Sequence, residues 1–284
     1  MQEIPRIQIE SSFDEFVKEF KGELVSELLP SNPLENADYL FRTDNVVAEL
    51  KCLEKDILRG DNFNTKLNSL YDTWIRKGLV RQRWGVFELN TGTLPLECQR
   101  EVHGLLKAPI ERTIKKANRQ IRQTRNYFDV PDAAGLLLMA NEGMYSVESA
   151  HIVDIACRIL ANQYSSIDGL AYFTVNIPAT KPGFNRYVNL WVSKHRKYNE
   201  SFIKWLDGMA EAWNAFYARK IGQDVPIHFF PADDQTTIES VKFIKPVRSA
   251  VNRGVKASNP TKIGRNQRCY CGSGSKYKKC HGAP

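Results

Sequence analysis

The period of the apolar positions changes several times along the chain, and each change marks an element. From 11 to 29 the spacing is helical. Phe13, Phe16, Val17, Phe20, Leu24 and Leu28 form one stripe, Ser11 or Ser12 stands at the N-cap position, and Pro30-Ser31-Asn32-Pro33 ends the run. The period then drops to two in the β-prone runs 37–41 and 46–53, which flank Arg42-Thr43-Asp44-Asn45 and read as a hairpin. Helical spacing returns over 63–79, with Leu67, Leu70, Tyr71, Trp74 and Ile75 on one side. The stretch 80–95, with Gly85, Gly92 and Pro95, reads as irregular. Residues 97–126 predict a long helix with Pro109 as a candidate break, its second half burying Ile110, Ile114, Ala117 and Ile121. The apolar run 133–140 predicts a buried strand and 146–163 a helix. Residues 169–177 and 186–193 predict two more strands, and 198–220 a helix that buries Phe202, Trp205, Leu206, Met209, Trp213 and Phe216. The order of elements is that of an α/β fold; the pattern does not fix the order of strands in the sheet.

Within the hairpin the alternation carries chemistry. Val47, Glu49, Lys51 and Leu53 share one face of the second run, while Val46, Ala48, Leu50 and Cys52 make the other wholly apolar. A two-residue loop on Thr43 and Asp44 places Asp38 across from Glu49, with Cβ atoms about 5 Å apart. A loop on Asp44 and Asn45 places Asp38 across from Lys51. Both gather an aspartate, a glutamate and a lysine on one patch, whereas a three-residue loop without a bulge turns Asp38 to the apolar face. Two carboxylates this close ionise together only with a cation between them. Oxygen donors with water in the remaining positions suit Mg²⁺ or Mn²⁺, and a neighbouring lysine can hold an attacking water or a phosphate oxygen. That chemistry fits metal-assisted hydrolysis of a phosphodiester.

Asp38 and Glu49-Leu50-Lys51 resemble the PD-(D/E)XK nuclease signature, with Ala37 where its proline stands. The resemblance covers about fifteen residues directly and extends loosely, through the order of elements, over the first half of the chain. It implies a restriction-endonuclease-like core with extra helices. It also implies that Asp38 and Glu49, with the Leu50 carbonyl, ligate the catalytic Mg²⁺ or Mn²⁺. Lys51 then positions the nucleophilic water and offsets developing charge. In this family a glutamate on the first helix often assists; Glu23 is favoured here over Glu27.

Composition adds direction. With 42% hydrophobic and 25% charged residues in 284, the chain can bury a core. No basic stretch followed by an apolar run opens it, and its most apolar run, Leu136-Leu137-Leu138-Met139-Ala140, is too short to cross a bilayer. Cys52, Cys98 and Cys157 are scattered, which suits a reducing cytoplasm rather than a disulfide framework. The net charge of +8 is uneven: residues 240–284 hold eleven Lys and Arg and no acid, leaving 29 basic against 32 acidic residues, a net of −3, in 1–239. A basic tail on a mildly acidic body points to nucleic acid, DNA before RNA. In the long helix, Arg112, Lys115, Lys116, Arg119, Arg122 and Arg125 occupy much of the outer surface, a candidate phosphate-contacting face, and Gln120 beside them is a candidate substrate contact.

The tail also holds a metal-ligand pattern. In Cys269-Tyr270-Cys271 and Cys280-His281, three thiols and an imidazole complete a tetrahedral Zn²⁺ site of the closed, structural kind. Residues 264–282 closely resemble the SEC-C motif, found on the bacterial secretion motor ATPase and on unrelated proteins. Gln267, Arg268, Tyr270 and Ser275 depart from the usual residues, but all four ligand positions match. In the secretion motor the motif contacts a chaperone and the ribosome, which implies a protein partner. The expected organisation is a nuclease-like α/β domain in 1–239, a basic linker in 240–262 and a small C-terminal zinc module in 263–284. Nucleases carrying such a module are associated with defence against foreign DNA. The rival expectation is a non-enzymatic adapter that displays the module to a protein or ribosome.

Overall fold

Lys21 and Gly22 divide the first predicted helix. In the protein's computed structural model, which describes residues 5–29, 35–83, 86–89, 91–176, 189–197, 199–223, 227–230, 237–242 and 255–258, helix α1 covers Ile9–Glu19 and stops there. Lys21 takes a left-handed φ of 62°. A Cβ on Gly22 would stand 2.4 Å from the Phe41 ring and 2.6 Å from Val17, so only glycine lets the chain pass. Beyond it lie strand β1, Glu23–Leu24, and a single helical turn α2, Val25–Leu28. The break was hidden because Phe20, Leu24 and Leu28 keep a four-residue spacing across it.

The hairpin forms with the first of the two expected registers. Strands β2, Tyr39–Phe41, and β3, Val46–Leu53, pair antiparallel as Tyr39↔Ala48, Leu40↔Val47 and Phe41↔Val46. The turn closes on Thr43 and Asp44, with Asn45 N donating to Arg42 O at 3.2 Å. Asn45 accepts a positive φ of 54°, as asparagine does more readily than most residues.

Helix α3, Asp61–Arg76, and strand β4, Val86–Leu89, come next; β4 lies in the stretch expected to be irregular. Helix α4 runs unbroken through Pro109 from Leu96 to Tyr127. The remaining elements are β5, Ala134–Asn141; α5, Ser149–Asn162; β6, Gly169–Thr174; β7, Asn189–His195; α6, Glu200–Ile221; β8, Ile227–Phe230; and β9, Val255–Ser258. Asn199 caps α6 by accepting from Phe202 N at 3.1 Å, and Gly222 ends it with a φ of 66°.

The chain divides into two compact units, one within Met1–Asp56 and Lys107–Val247, the other within Ile57–Leu106 and Arg248–Pro284. The first is built on a mixed sheet in the order β1-β2-β3-β5-β6-β7-β8. The β1–β2, β2–β3 and β6–β7 pairs are antiparallel; β3–β5, β5–β6 and β7–β8 are parallel. Phe13, Phe16 and Val17 of α1 and Met209, Trp213 and Phe216 of α6 close one face over Val46, Ala48, Leu138 and Phe173. The other face, with Val47, Leu137, Met139, Leu170 and Tyr172 fully buried, is also covered. Thr124 of α4 accepts from Ala37 N at 2.7 Å there, and Tyr172 OH donates to Ser149 Oγ of α5 at 3.0 Å. Burial on both sides explains the unbroken apolar run of β5. Ser240–Lys242 adds a 3-10 turn to this unit, and its Val241 carbonyl accepts from Arg158 Nη1 at 3.1 Å.

In the second unit α3 buries Phe63, Leu67, Tyr71 and Trp74, and the Trp74 indole donates to Glu101. Strands β4 and β9 pair antiparallel, so the stretch expected as a linker holds a strand. Residues 263–284 lie outside the described residues.

Candidate metal and catalytic site

The β2–β3 register continues one step beyond Tyr39↔Ala48, and that step sets Asp38 across from Glu49. Asp38 Oδ2 accepts from Leu50 N at 2.9 Å, fixing the aspartate against the next strand. A strand residue sends its N–H and C=O to the same side, so the Leu50 carbonyl also leaves β3 toward Asp38. Lys51 Nζ donates to Glu49 Oε1, with the lysine side chain 18% exposed and the glutamate side chain 0%. The other oxygen, Glu49 Oε2, is buried and meets no donor from another group, while the Glu49 and Asp38 carboxyls are close enough to share a hydrogen bond when one is protonated. A charged face was expected from the alternation; a buried one was not.

Burial dominates the electrostatics. It pushes the Glu49 carboxyl up to about 8, helped by the Asp38 charge and opposed by Lys51. Burial likewise raises Asp38, against the pull of Leu50 N and Lys51. The pair is thus held back from full ionisation near neutrality, the two carboxyls sharing a hydrogen bond that a bound cation would replace. Those features fit a hard divalent cation coordinated by oxygens. Asp38, Glu49 Oε2 and the Leu50 carbonyl are the donors this chain offers.

The raised Glu49 carboxyl couples folding to pH. Without metal, folded Glu49 keeps its proton up to about pH 8, whereas the unfolded chain releases it near 4.5. Across that window the folded state holds more protons, so stability is fully present below about 4.5 and is lost as pH rises toward 8. Glu49→Gln cannot ionise and is expected to flatten the loss. Urea midpoints of both metal-free proteins on either side of the window check this; parallel curves would mean that Glu49 ionises as freely in the fold as out of it.

Glu23 and Glu27 sit elsewhere than the first helix predicted. Glu23 is in β1, directly across from Leu40, and its carboxylate accepts from Arg42 Nε at 3.0 and 3.2 Å in the open. Glu27, in α2, pairs with exposed Lys18 at 2.6 Å. Among the described residues no group of three or more His, Cys, Asp or Glu gathers as metal ligands, so the acids stand as a pair. Asp14 of α1 accepts from Tyr39 OH at 3.0 Å, and its charge reaches Asp38. A tyrosine flanking Asp38 on the buried side was the one available signal. Gln120 Nε2 donates to Asn36 O at 2.8 Å and so braces the segment leading to Asp38. The Oε1 atoms of Gln120 and Gln123 and Asn36 Oδ1 are buried and unpartnered.

The scattered cysteines are free thiols. Burial pushes Cys52 and Cys157 up to about 12, which makes them poor nucleophiles and poor ligands at neutral pH. Among the described residues no helix is long and apolar enough to cross a membrane. Cys269, Cys271, Cys280 and His281 lie outside the described residues.

Comparison with known proteins reaches the tail. The SEC-C motif matches residues 265–283. The protein translocase subunit SecA of Borreliella burgdorferi is 66% identical over 35 residues, 12% of this chain and 4% of that protein. SecA of Bradyrhizobium diazoefficiens is 47% identical over 53 residues, 18% and 5%. SecA of Solidesulfovibrio magneticus is 41% identical over 66 residues, 22% and 8%. The chain thus spans less than a tenth of the length of these relatives. No solved structure matches. Asp38, Glu49 and Lys51 fall outside the matched motif.

Proposed function

We propose that this chain is a cytoplasmic, divalent-metal-dependent nuclease that hydrolyses phosphodiester bonds of nucleic acid, DNA before RNA. One observation carries the reading: a fully buried glutamate faces an aspartate across a hairpin, both carboxyls raised by burial, with a lysine on the same strand face. A Mg²⁺ or Mn²⁺ ion bound there supplies Lewis acidity and a more acidic water. Asp38 and Glu49, with the Leu50 carbonyl, hold it. Lys51 Nζ, already beside Glu49 and partly open to solvent, is placed to orient the attacking water and to offset charge on the phosphate oxygens. The order α1, antiparallel β1-β2-β3, α4, then β5 parallel beside β3 supports a restriction-endonuclease-like core. Association of such modules with nucleases favours a role in defence against foreign DNA, an analogy rather than chemistry. Incubation of duplex DNA, single-stranded DNA and RNA with the full chain and Mg²⁺ or Mn²⁺ tests the reading. Cleavage that needs the added ion supports it; no cleavage of any substrate with either ion removes it.

The tail is proposed to hold one structural Zn²⁺ through Cys269, Cys271, Cys280 and His281, since three thiolates and an imidazole leave no open position. Elemental analysis should find one zinc per chain, lost in Cys280→Ser. Zinc retained by a protein ending at residue 239 would put the site in the body. The likeness to SecA in the SEC-C motif favours a second reading, in which the tail docks a protein or ribosome and the body is an adapter. Divalent-metal binding by the body separates the two.

A further inference from the structure

Helix α4 carries cations of two kinds. Some are already used. Arg125, 13% exposed, donates to Asp168 Oδ2 at 2.6 Å; Lys107 lies 3.6 Å from Glu111; Arg119 pairs with Glu35. Arg112, Lys115, Lys116 and Arg122 are exposed, and among the described residues none meets an acidic partner. The successive steps are three, one and six residues; at about 100° per residue the four fall within an arc of about 120°, so they line one side of the helix over about 15 Å. The opposite side is the buried one, with Ile110, Ile114, Ala117 and Ile121. Arg112 lies three and four residues before Lys115 and Lys116, and like charges at those spacings repel and weaken a helix; the carboxylate among them, Glu35, is taken up by Arg119.

The row also has a definite place. On the flank of the same helix, Gln120 and Thr124 hold Asn36 and Ala37, the two residues before Asp38. We propose that the outer face of α4, Arg112, Lys115, Lys116 and Arg122, tracks the phosphate backbone of a nucleic-acid strand and guides it toward Asp38 and Glu49. Each of the four side chains is long enough to reach a separate phosphate on one or both strands of a duplex, so the row meets up to about four of them. Four cations on a rigid helix, unpaired among the described residues, suit that uniform array, with the neutral Arg119–Glu35 pair between them. The inference rests on the nuclease reading for its destination, and it assigns backbone contacts to the body rather than to the basic tail alone.

The test measures binding, in the full chain carrying Glu49→Gln so that cleavage does not intervene. Anisotropy with a DNA duplex and with an RNA duplex gives the dependence of affinity on salt. Replacing Arg112, Lys115, Lys116 and Arg122 by Gln should make the logarithmic salt slope on DNA shallower by about three to four. A control variant replaces Lys18, Lys204, Arg219 and Lys220 by Gln. It removes the same charge from residues paired with Glu27, Glu200, Glu19 and Glu15, and should change the slope little. A matching loss on RNA shows phosphate tracking on both duplexes; a loss on DNA alone assigns the row to DNA. Equal slopes for the two variants would overturn the proposal, because net charge and the tail would then account for binding. The nuclease reading fails by a different result, no cleavage of any substrate by the parent chain with Mg²⁺ or Mn²⁺.

Discussion

Glu49→Ala and Asp38→Ala are each expected to lower cleavage by about three orders of magnitude or more, equivalent to about 4 kcal/mol of transition-state stabilisation. The effect is large because both acids touch the ion, and removing either leaves too few oxygen donors to hold it. Lys51→Ala should behave differently. It leaves the donors in place, so metal binding persists while the chemical step slows by about a hundredfold, comparable to losing one preorganised group. Single-turnover cleavage against metal concentration separates these cases. The Asp38 and Glu49 variants should fail at every concentration, whereas the Lys51 variant should saturate normally at a lower plateau. All three should stay folded: the two acid variants remove carboxyls that burial disfavours in their charged form, and in Lys51→Ala the raised Glu49 carboxyl can keep its proton instead of standing as an unpaired charge. Parent-like cleavage by both acid variants would move the active site elsewhere.

The second large effect lies in the core. Trp213 of α6 is 2% exposed and stands 4.8 Å from Phe13, 5.2 Å from Phe16 and 5.7 Å from Phe173, ring centre to ring centre. It joins α6 to α1 and to the sheet at once. Trp213→Ala should cost about 3–5 kcal/mol, because neither helix can close the space without leaving the sheet. That is a large share of the roughly 5–15 kcal/mol of a typical domain. Urea unfolding should show a lower midpoint with an unchanged slope. A loss under about 1 kcal/mol would mean that α1 and α6 are not held through this ring. The site would feel the change, because α1 carries Asp14, which holds Tyr39 beside Asp38.

The hairpin was legible because strict alternation and an even loop leave few registers, and both candidates put Asp38 on the charged face. The helices from Ser149 and Glu200 were legible because their apolar stripes run without interruption. The break at Lys21 and Gly22 was not, since a glycine that fits only against Phe41 and Val17 is a tertiary fact. The same holds for Glu49. Its neighbours Val47, Lys51 and Leu53 give no sign that α4 covers the face, so a solvated acid and a buried one look alike in sequence. Strands β4, β8 and β9 have four residues each, too few to show a period.

The central claim is a divalent cation held between Asp38 and Glu49. Calorimetric titration of the zinc-loaded full chain with Mn²⁺ tests it most directly, with Glu49→Gln and Cys280→Ser beside the parent. The account predicts one Mn²⁺ site in the parent, unchanged by Cys280→Ser and weakened by about a hundredfold or more in Glu49→Gln, since loss of even a supporting partner of a metal ligand can cost that much. Equal Mn²⁺ affinity in the parent and in Glu49→Gln would contradict it.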